Sequence, residues 1–171
     1  MNLILTRSPL DTMLSEIAAA VRGAPARRHA AVAEAIGQAV LDPCLLERHD
    51  CPCSPTSYVR HLLYADDAAG YAVVALVWRP GQMSPVHAHK TWCALGVHRG
   101  TLTETFYAAG ENDPVPTHTR LCPPGTISCT PPDPGSIHRL ANLSCREAVS
   151  IHCYGAAIER MAEEVNLVYS A

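Results

Sequence analysis

The sequence predicts a mainly β protein, a sandwich or small barrel that follows a helical N-terminal segment. Apolar residues at helical spacing fill the first third, and from about residue 57 the pattern changes to short runs rich in Val, Thr, Tyr and Ile. Glycine and proline residues cut these runs. The 171 residues match the usual size of one domain. We therefore expect residues 1–171 to form a single domain, helical over 1–56 and a β-barrel over 57–171.

Two helices are predicted in the N-terminal segment. The first carries apolar residues at i, i+4, i+7 and i+11, namely Leu10, Leu14, Ile17 and Val21. Gly23 and Pro25 end it. The second covers residues 25–41 and places three apolar side chains on one face, namely Val32, Ile36 and Val40. Asp42 and Pro43 end this second helix.

The β region is predicted to contain about eight to ten short strands. Residues from Tyr71 to Trp78 form an unbroken apolar run, which is typical of a strand that is covered on both faces. The other runs alternate between apolar and polar residues, as strands with one solvated face do. Many short strands behind a helical segment favour a sandwich or a small barrel.

Composition excludes several classes of protein. The chain is 48% hydrophobic and 17% charged, which excludes disorder, and no apolar run reaches the roughly 18 residues of a membrane helix. The formal net charge is −3 and basic residues do not cluster, so neither a membrane nor a nucleic acid is an expected partner. We expect a monomer.

The eight cysteines are expected to be free thiols. The N-terminus, MNLILTRSPL, does not resemble a signal peptide, and we therefore expect a cytoplasmic, reducing location. Four cysteines in strand-like stretches are predicted to be small buried residues: Cys122, Cys129, Cys145 and Cys153. A further group of potential zinc ligands consists of Cys44, His49, Cys51 and Cys53. The second Cys-x-x-Cys pair of a zinc knuckle is missing from it, so its role stays open.

Two histidine motifs predict a metal site. The first has the form Gly81-x5-His87-x-His89-x3-Cys93-x6-Gly100. Because side chains alternate along a strand, His87 and His89 share a face and reach one metal, and Cys93 shares that face if the strand is regular.

The second motif supplies a third imidazole. Gly135-x2-His138-x3-Asn142 places His138 at a predicted strand start. Together the two motifs resemble those of the cupin family, whose members are small jelly-roll proteins. The usual glutamate of the first motif is replaced by Cys93, which leaves three neutral imidazoles and an open face on the metal. Three histidines suit catalytic zinc as well as iron.

Four segments resemble the cysteine dioxygenase family, which are cupins that use non-haem Fe(II). They are SYVRHLLY, HAHKTWCALGVHRGTLTETFY, GSIHRLAN and SIHCYG, which lie between residues 57 and 155. The resemblance implies a cytoplasmic oxidoreductase that converts L-cysteine and O2 to cysteine sulfinic acid. Neutral protein ligands suit an anionic thiolate, because they avoid a build-up of negative charge.

The resemblance also implies a role for each site residue. His87, His89 and His138 would bind Fe(II). Tyr58 and Arg60 would hold the substrate carboxylate, for which the planar guanidinium of arginine is suited. The remaining catalytic residues would be a relay of Ser150, His152 and Tyr154, and Cys93, for which we hypothesise a thioether bond to Tyr154. Trp78 and Trp92 receive no chemical role.

Two departures from the family pattern concern the mouth of the pocket. One residue fewer separates the histidine pair from Cys93 than in mammalian members, and Gly155 replaces a Ser-Pro turn after the relay tyrosine. Several alternatives stay open. The substrate could be another small thiol carboxylate, such as 3-mercaptopropionate, although related enzymes for that thiol commonly carry Gln where Arg60 stands. The protein could also be a non-catalytic metal-binding sensor, or a zinc-dependent isomerase or hydrolase.

Overall fold

A computed structural model describes residues 7–111 and 113–169. The first six residues, on which part of the expectation of a cytoplasmic protein rests, lie outside this range. Within it are three α-helices: α1 (Pro9–Arg22), α2 (Arg28–Ala39) and α3 (Met161–Glu164). The strands are β1 (Val59–Asp66), β2 (Tyr71–Trp78), β3 (Val86–His89), β4 (Cys93–Arg99), β5 (Leu102–Ala108), β6 (Val115–Cys122), β7 (Ile127–Thr130), β8 (Asp133–Ala141), β9 (Ala148–Tyr154) and β10 (Asn166–Tyr169). In the described ranges, no helix has both the length and the apolarity needed to cross a membrane.

The first helix begins where its sequence predicts. The Ser8 hydroxyl accepts a hydrogen bond from the Asp11 amide at 3.1 Å, and the Asp11 carboxylate accepts one from the Ser8 amide at 3.2 Å. This reciprocal capping satisfies two amides that the first turn leaves without partners. The buried stripe includes Met13, while Leu14 is only partly buried.

The strands form two antiparallel sheets that face each other. One sheet has the order β1-β2-β9-β4-β7, and the other has the order β10-β3-β8-β5-β6. The predicted mainly β architecture with an N-terminal helical segment is confirmed. Strand β2 is buried along its whole length, as its unbroken apolar run predicts.

Two cores explain why β2 is covered on both faces. One face, with Val73, packs towards the helices, while the other, with Val74 and Trp78, packs into the space between the sheets. Helix α2 approaches β4 closely at Gly96. A Cβ atom at Gly96 would lie 2.6 Å from Ile36 Cγ2, so only glycine allows this approach. The helices therefore close the outer face of the first sheet and leave its inner face to the site.

Three local predictions differ from the structure. His138 lies within β8, which already begins at Asp133, because Asp133 pairs with His89 of β3 before an irregularity in the register that ends at His138. Cys129 and Cys145 are exposed, and Cys145 lies in the turn before β9. Strand β3 also ends at His89, and a new strand begins at Cys93. The histidine pair and Cys93 therefore lie on different strands and in different sheets.

Candidate metal centre

Three buried histidines meet between the sheets. His87 and His89 lie on β3, and His138 lies on the neighbouring strand β8, directly opposite His87. All three are at least nine-tenths buried. Their ligand nitrogens lie within 4.8 Å of one another. The structure therefore brings together the three residues that the two motifs predict as metal ligands.

Hydrogen bonds fix the orientation of two of the rings. His87 Nδ1 lies 3.0 Å from the Pro85 carbonyl oxygen, and His138 Nδ1 lies 2.8 Å from Glu104 Oε1. Because both partners are acceptors, each of these Nδ1 atoms carries a proton and donates it in the hydrogen bond. His89 Nε2 lies 3.0 Å from His138 Nε2. In the described part of the chain, the buried His89 Nδ1 has no partner.

Burial keeps the first two imidazoles neutral. Desolvation, followed by the neighbouring imidazoles, lowers the pKa of His87 to about 4 and that of His89 to about 3. The neutral ring is the form that binds a metal ion. Three imidazoles whose nitrogens lie this close together fit a divalent transition metal.

Glu104 is a site residue that the sequence reasoning missed. It is 2% exposed and contacts His138 on the Nδ1 side of the ring, away from Nε2. It therefore does not enter the ligand cluster. Burial opposes ionisation of Glu104, but the contacts with His138 and Arg120 outweigh burial and lower the pKa of the carboxyl group. The sequence did carry a signal for Glu104: a charged residue stands two positions after Leu102, on the same buried face of β5.

A small cavity adjoins the three histidines. Tyr58 and Arg60, the predicted carboxylate-binding residues, both line it, together with Trp78 and Asn166. Arg60 Nη2 donates to the Tyr58 hydroxyl at 3.0 Å, and the Tyr58 ring stacks on Trp78 with the ring centroids 4.3 Å apart. Arg60 is thus held at the mouth of the cavity by an aromatic pair.

The predicted relay residues form one buried chain of hydrogen bonds on β9. Ser150 Oγ lies 2.8 Å from His152 Nε2, and His152 Nδ1 lies 3.0 Å from the Tyr154 hydroxyl. Trp78 Nε1 donates to Ser150 Oγ at 3.0 Å, a contact that the sequence did not predict. Burial is the main cause that lowers the pKa of His152 and raises the pKa of Tyr154.

A neutral His152 gives the relay a direction. The indole of Trp78 is only a donor, so Ser150 accepts from Trp78 and donates its own proton to His152 Nε2. His152 Nδ1 then carries the ring proton and donates a hydrogen bond to the hydroxyl oxygen of Tyr154. The hydroxyl proton of Tyr154 therefore stays available to a group in the cavity, which Tyr154 lines.

Cys93 reaches the site from the opposite sheet. It lines the same cavity as the histidines, although it does not share their strand. Cys93 pairs directly with Tyr154 across β4 and β9, and directly opposed residues in an antiparallel pair have Cβ atoms about 4.5–5.5 Å apart. Burial raises the pKa of the Cys93 thiol.

Trp92 occupies the space above Gly155. Any Cβ atom at Gly155 would overlap the indole of Trp92. The Gly155 amide donates to the Trp92 carbonyl at 3.0 Å, and the Thr91 hydroxyl donates to the Gly155 carbonyl at 2.6 Å. Gly155 and Trp92 therefore depend on each other where the chain departs from the family pattern.

The cysteines of the helical segment do not form a second ligand cluster. Across the part of the chain that the structure describes, His87, His89 and His138 are the one group of three or more potential ligands at metal-binding distance. Cys44 and Cys53 are exposed, and Cys51 is partly buried.

Two solved bacterial structures share the fold. The Thermus thermophilus protein TT1209 matches with a TM-score of 0.51 and 19% identity, over 65% of this chain and 93% of that chain. A Klebsiella pneumoniae protein described as having a double-stranded β-helix domain matches with a TM-score of 0.51 and 16% identity, over 74% and 95% of the two chains. Identity at this level establishes the fold alone.

The fold and the site define a cupin with a three-histidine site suited to a metal ion. The family model for cysteine dioxygenase type I matches residues 53–163, which is well over half of the chain. The chain belongs to this family. Membership points to an iron-dependent dioxygenase that acts on a small thiol.

Proposed function

We propose that this protein is an Fe(II)-dependent dioxygenase that converts L-cysteine and O2 to cysteine sulfinic acid. The thiol sulfur is oxidised and O2 is reduced, with both oxygen atoms retained: the thiol and O2 give the sulfinate and one proton. The observation that carries the proposal is that the three buried histidines, Arg60 and Tyr154 all line one cavity. Iron, when bound, supplies the redox chemistry that allows O2 to react with the thiolate sulfur.

Arg60 would bind the carboxylate of the substrate. Its guanidinium presents donors in a planar fork that suits two carboxylate oxygens. The hydrogen bond to Tyr58 and the position of the Arg60 guanidinium carbon 5.2 Å from the Tyr58 ring centroid restrict its motion. Less conformational freedom is therefore lost when the substrate binds.

Asn166 favours cysteine over a thiol that lacks an amine. It lines the same cavity as Arg60, and its Oδ1 is a buried acceptor without a partner in the described ranges. An amine of the substrate provides the missing donor, whereas 3-mercaptopropionate has none. Replacing Asn166 with Leu should lower kcat/KM for cysteine more than for 3-mercaptopropionate, and equal losses for both thiols would contradict this role.

Tyr154 would donate a hydrogen bond to the reacting substrate, with His152 and Ser150 holding its hydroxyl in place. We also propose that Cys93 and Tyr154 become joined by a thioether bond. The bond removes one hydrogen from each residue, with O2 as the oxidant. Intact mass of the active protein should be lower by two hydrogens than the sequence mass, and Cys93→Ser should abolish this difference while slowing turnover. An unmodified mass in fully active protein would exclude the bond.

Oxygen uptake tests the proposed function. Protein reconstituted with Fe(II) under anaerobic conditions is mixed with 18O2 and L-cysteine, 3-mercaptopropionate or cysteamine, and the products are identified by mass. We expect the highest kcat/KM for cysteine and a sulfinate that carries two labelled oxygens. His138→Asn provides a control that lacks a metal ligand. No uptake with any thiol by protein that holds iron would favour a sensor and contradict the proposal.

A further inference from the structure

We propose that Glu104 and Arg120 form a positioning pair for His138. In this pair Glu104 fixes the orientation of the His138 ring and makes its metal-binding nitrogen more basic. Arg120 neutralises the charge of the Glu104 carboxylate. The inference concerns the metal site and does not depend on which thiol, if any, is the substrate.

The sheet brings the three residues together. Strand β5 lies between β8 and β6, and Glu104 on β5 pairs directly with Arg120 on β6. His138 on β8 pairs with Phe106, which is two residues beyond Glu104 and on the same face. A side chain reaches such a diagonal neighbour across adjacent strands. The pairing register therefore allows Glu104 to contact both residues.

The contacts use both oxygens of the carboxylate. Glu104 Oε1 accepts from His138 Nδ1 at 2.8 Å, while Oε2 accepts from Arg120 Nε at 2.7 Å and lies 2.6 Å from Arg120 Nη2. The guanidinium carbon of Arg120 also lies 5.5 Å from the Phe106 ring centroid. Each member is held from two sides, and the His138 ring cannot rotate without breaking a charge-assisted hydrogen bond.

Stability alone does not account for this pair. An almost fully buried carboxylate loses its hydration, and apolar residues of similar size often stabilise a fold as well or better. The three ligand histidines also differ in their support: His87 bonds to a backbone carbonyl, His89 Nδ1 has no partner among the described residues, and only His138 bonds to a carboxylate. A carboxylate at the distal nitrogen makes a ligand histidine more basic and fixes its tautomer.

Arg120 explains how a carboxylate is accommodated beside a neutral ligand set. Glu104 alone would place a negative charge next to the metal site and oppose the approach of an anionic ligand. Arg120 lies within ion-pair distance and cancels that charge locally. The pair thus retains the orientation and basicity that a carboxylate gives, while the surroundings of the site stay electrically neutral.

Metal affinity and reduction potential test the pair. Four variants of the whole protein are compared with the parent: E104L, E104Q, R120M and the double variant E104Q/R120M. R99M is the matched control, since it removes an arginine from the surface ion pair with Glu147, whose atoms are 2.8 Å apart. Co(II) affinity is measured by absorption titration, and the Fe(III)/Fe(II) midpoint potential is measured on iron-loaded protein.

Each variant has a stated outcome. E104L should lose about 10- to 100-fold in Co(II) affinity, the usual effect of removing such a partner. E104Q removes negative charge and should raise the midpoint potential, R120M should lower it, and the double variant should return close to the parent. R99M should change neither quantity. Unchanged affinity in E104L, or potentials that shift in the same direction in E104Q and R120M, would overturn the proposal.

Two features keep the test decisive. Arg120 lies on an exposed edge strand, so R120M and E104Q supply the potential measurements even if E104L does not fold. No thiol is used in these measurements. If the parent protein fails to oxidise cysteine but E104L still loses Co(II) affinity, the positioning pair is supported and only the proposed substrate chemistry is rejected.

Discussion

Lowering the pH from 7 to 5 is expected to destabilise the metal-free protein by about 2 kcal/mol for each of the histidines His87 and His89. In the folded protein the pKa values of these residues are lowered to about 4 and about 3, whereas an unfolded chain has histidine pKa values of about 6.5. As the pH falls below 6.5, the unfolded state binds protons before the folded state does. The free energy of unfolding therefore decreases, and this decrease continues until the folded histidines are also protonated.

The interval from pH 7 to 5 isolates the histidines. Carboxylates contribute little there, because their ordinary pKa values lie near 4. Two histidines give about 4 kcal/mol by this linkage, and His152, whose pKa is also lowered by burial, acts in the same direction. These losses are large beside the usual stability of about 5–15 kcal/mol.

Urea denaturation of metal-free protein at pH 7 and at pH 5 measures the effect. His87→Gln should reduce the difference between the two pH values by about 2 kcal/mol. His118→Gln is the matched control for loss of an imidazole outside the cluster. Equal free energies of unfolding at both pH values in the parent protein would refute the argument that burial keeps these histidines neutral.

Three substitutions test the cavity and its mouth. Arg60→Gln should raise KM for cysteine about 10- to 100-fold in steady-state kinetics, since a charge-assisted hydrogen bond contributes about 1.5–3 kcal/mol. The control substitution Arg79→Gln, at an exposed arginine, should leave KM unchanged. Tyr154→Phe should lower kcat with little change in KM; an unchanged kcat would remove Tyr154 from the reaction. Gly155→Ala should destabilise the protein by about 1–3 kcal/mol, because its Cβ displaces the indole of Trp92; a thermal melt that matches the parent would contradict this packing.

The sequence predicted the parts of the site that depend on spacing within one segment. The shared face of the histidine pair follows from the alternation of side chains along a strand, and the burial of β2 follows from its unbroken apolar run. The relay residues of β9 were implied by the resemblance to the family. The predicted continuation of the first motif into Cys93 was wrong in its geometry, because residues 90–92 carry the chain from one sheet to the other.

The missed contacts depend on the order and register of the sheets. Glu104 reaches His138 across two strands that are 34 residues apart in the chain, and Trp78 reaches Ser150 across 72 residues. Alternation within β5 or β2 indicates which face is buried, but not which strand lies alongside. Identifying the partner of a buried charge or indole therefore requires knowledge of the fold.

Metal binding by the parent and by single histidine variants tests the central claim most directly. Metal-free protein is titrated anaerobically with Fe(II), and the bound metal is measured after removal of free iron. We predict one iron per chain for the parent and for His118→Gln, and a loss of tight binding for His87→Asn, His89→Asn and His138→Asn alike. Parent-like iron binding in any of these three variants would contradict a centre formed jointly by the three imidazoles.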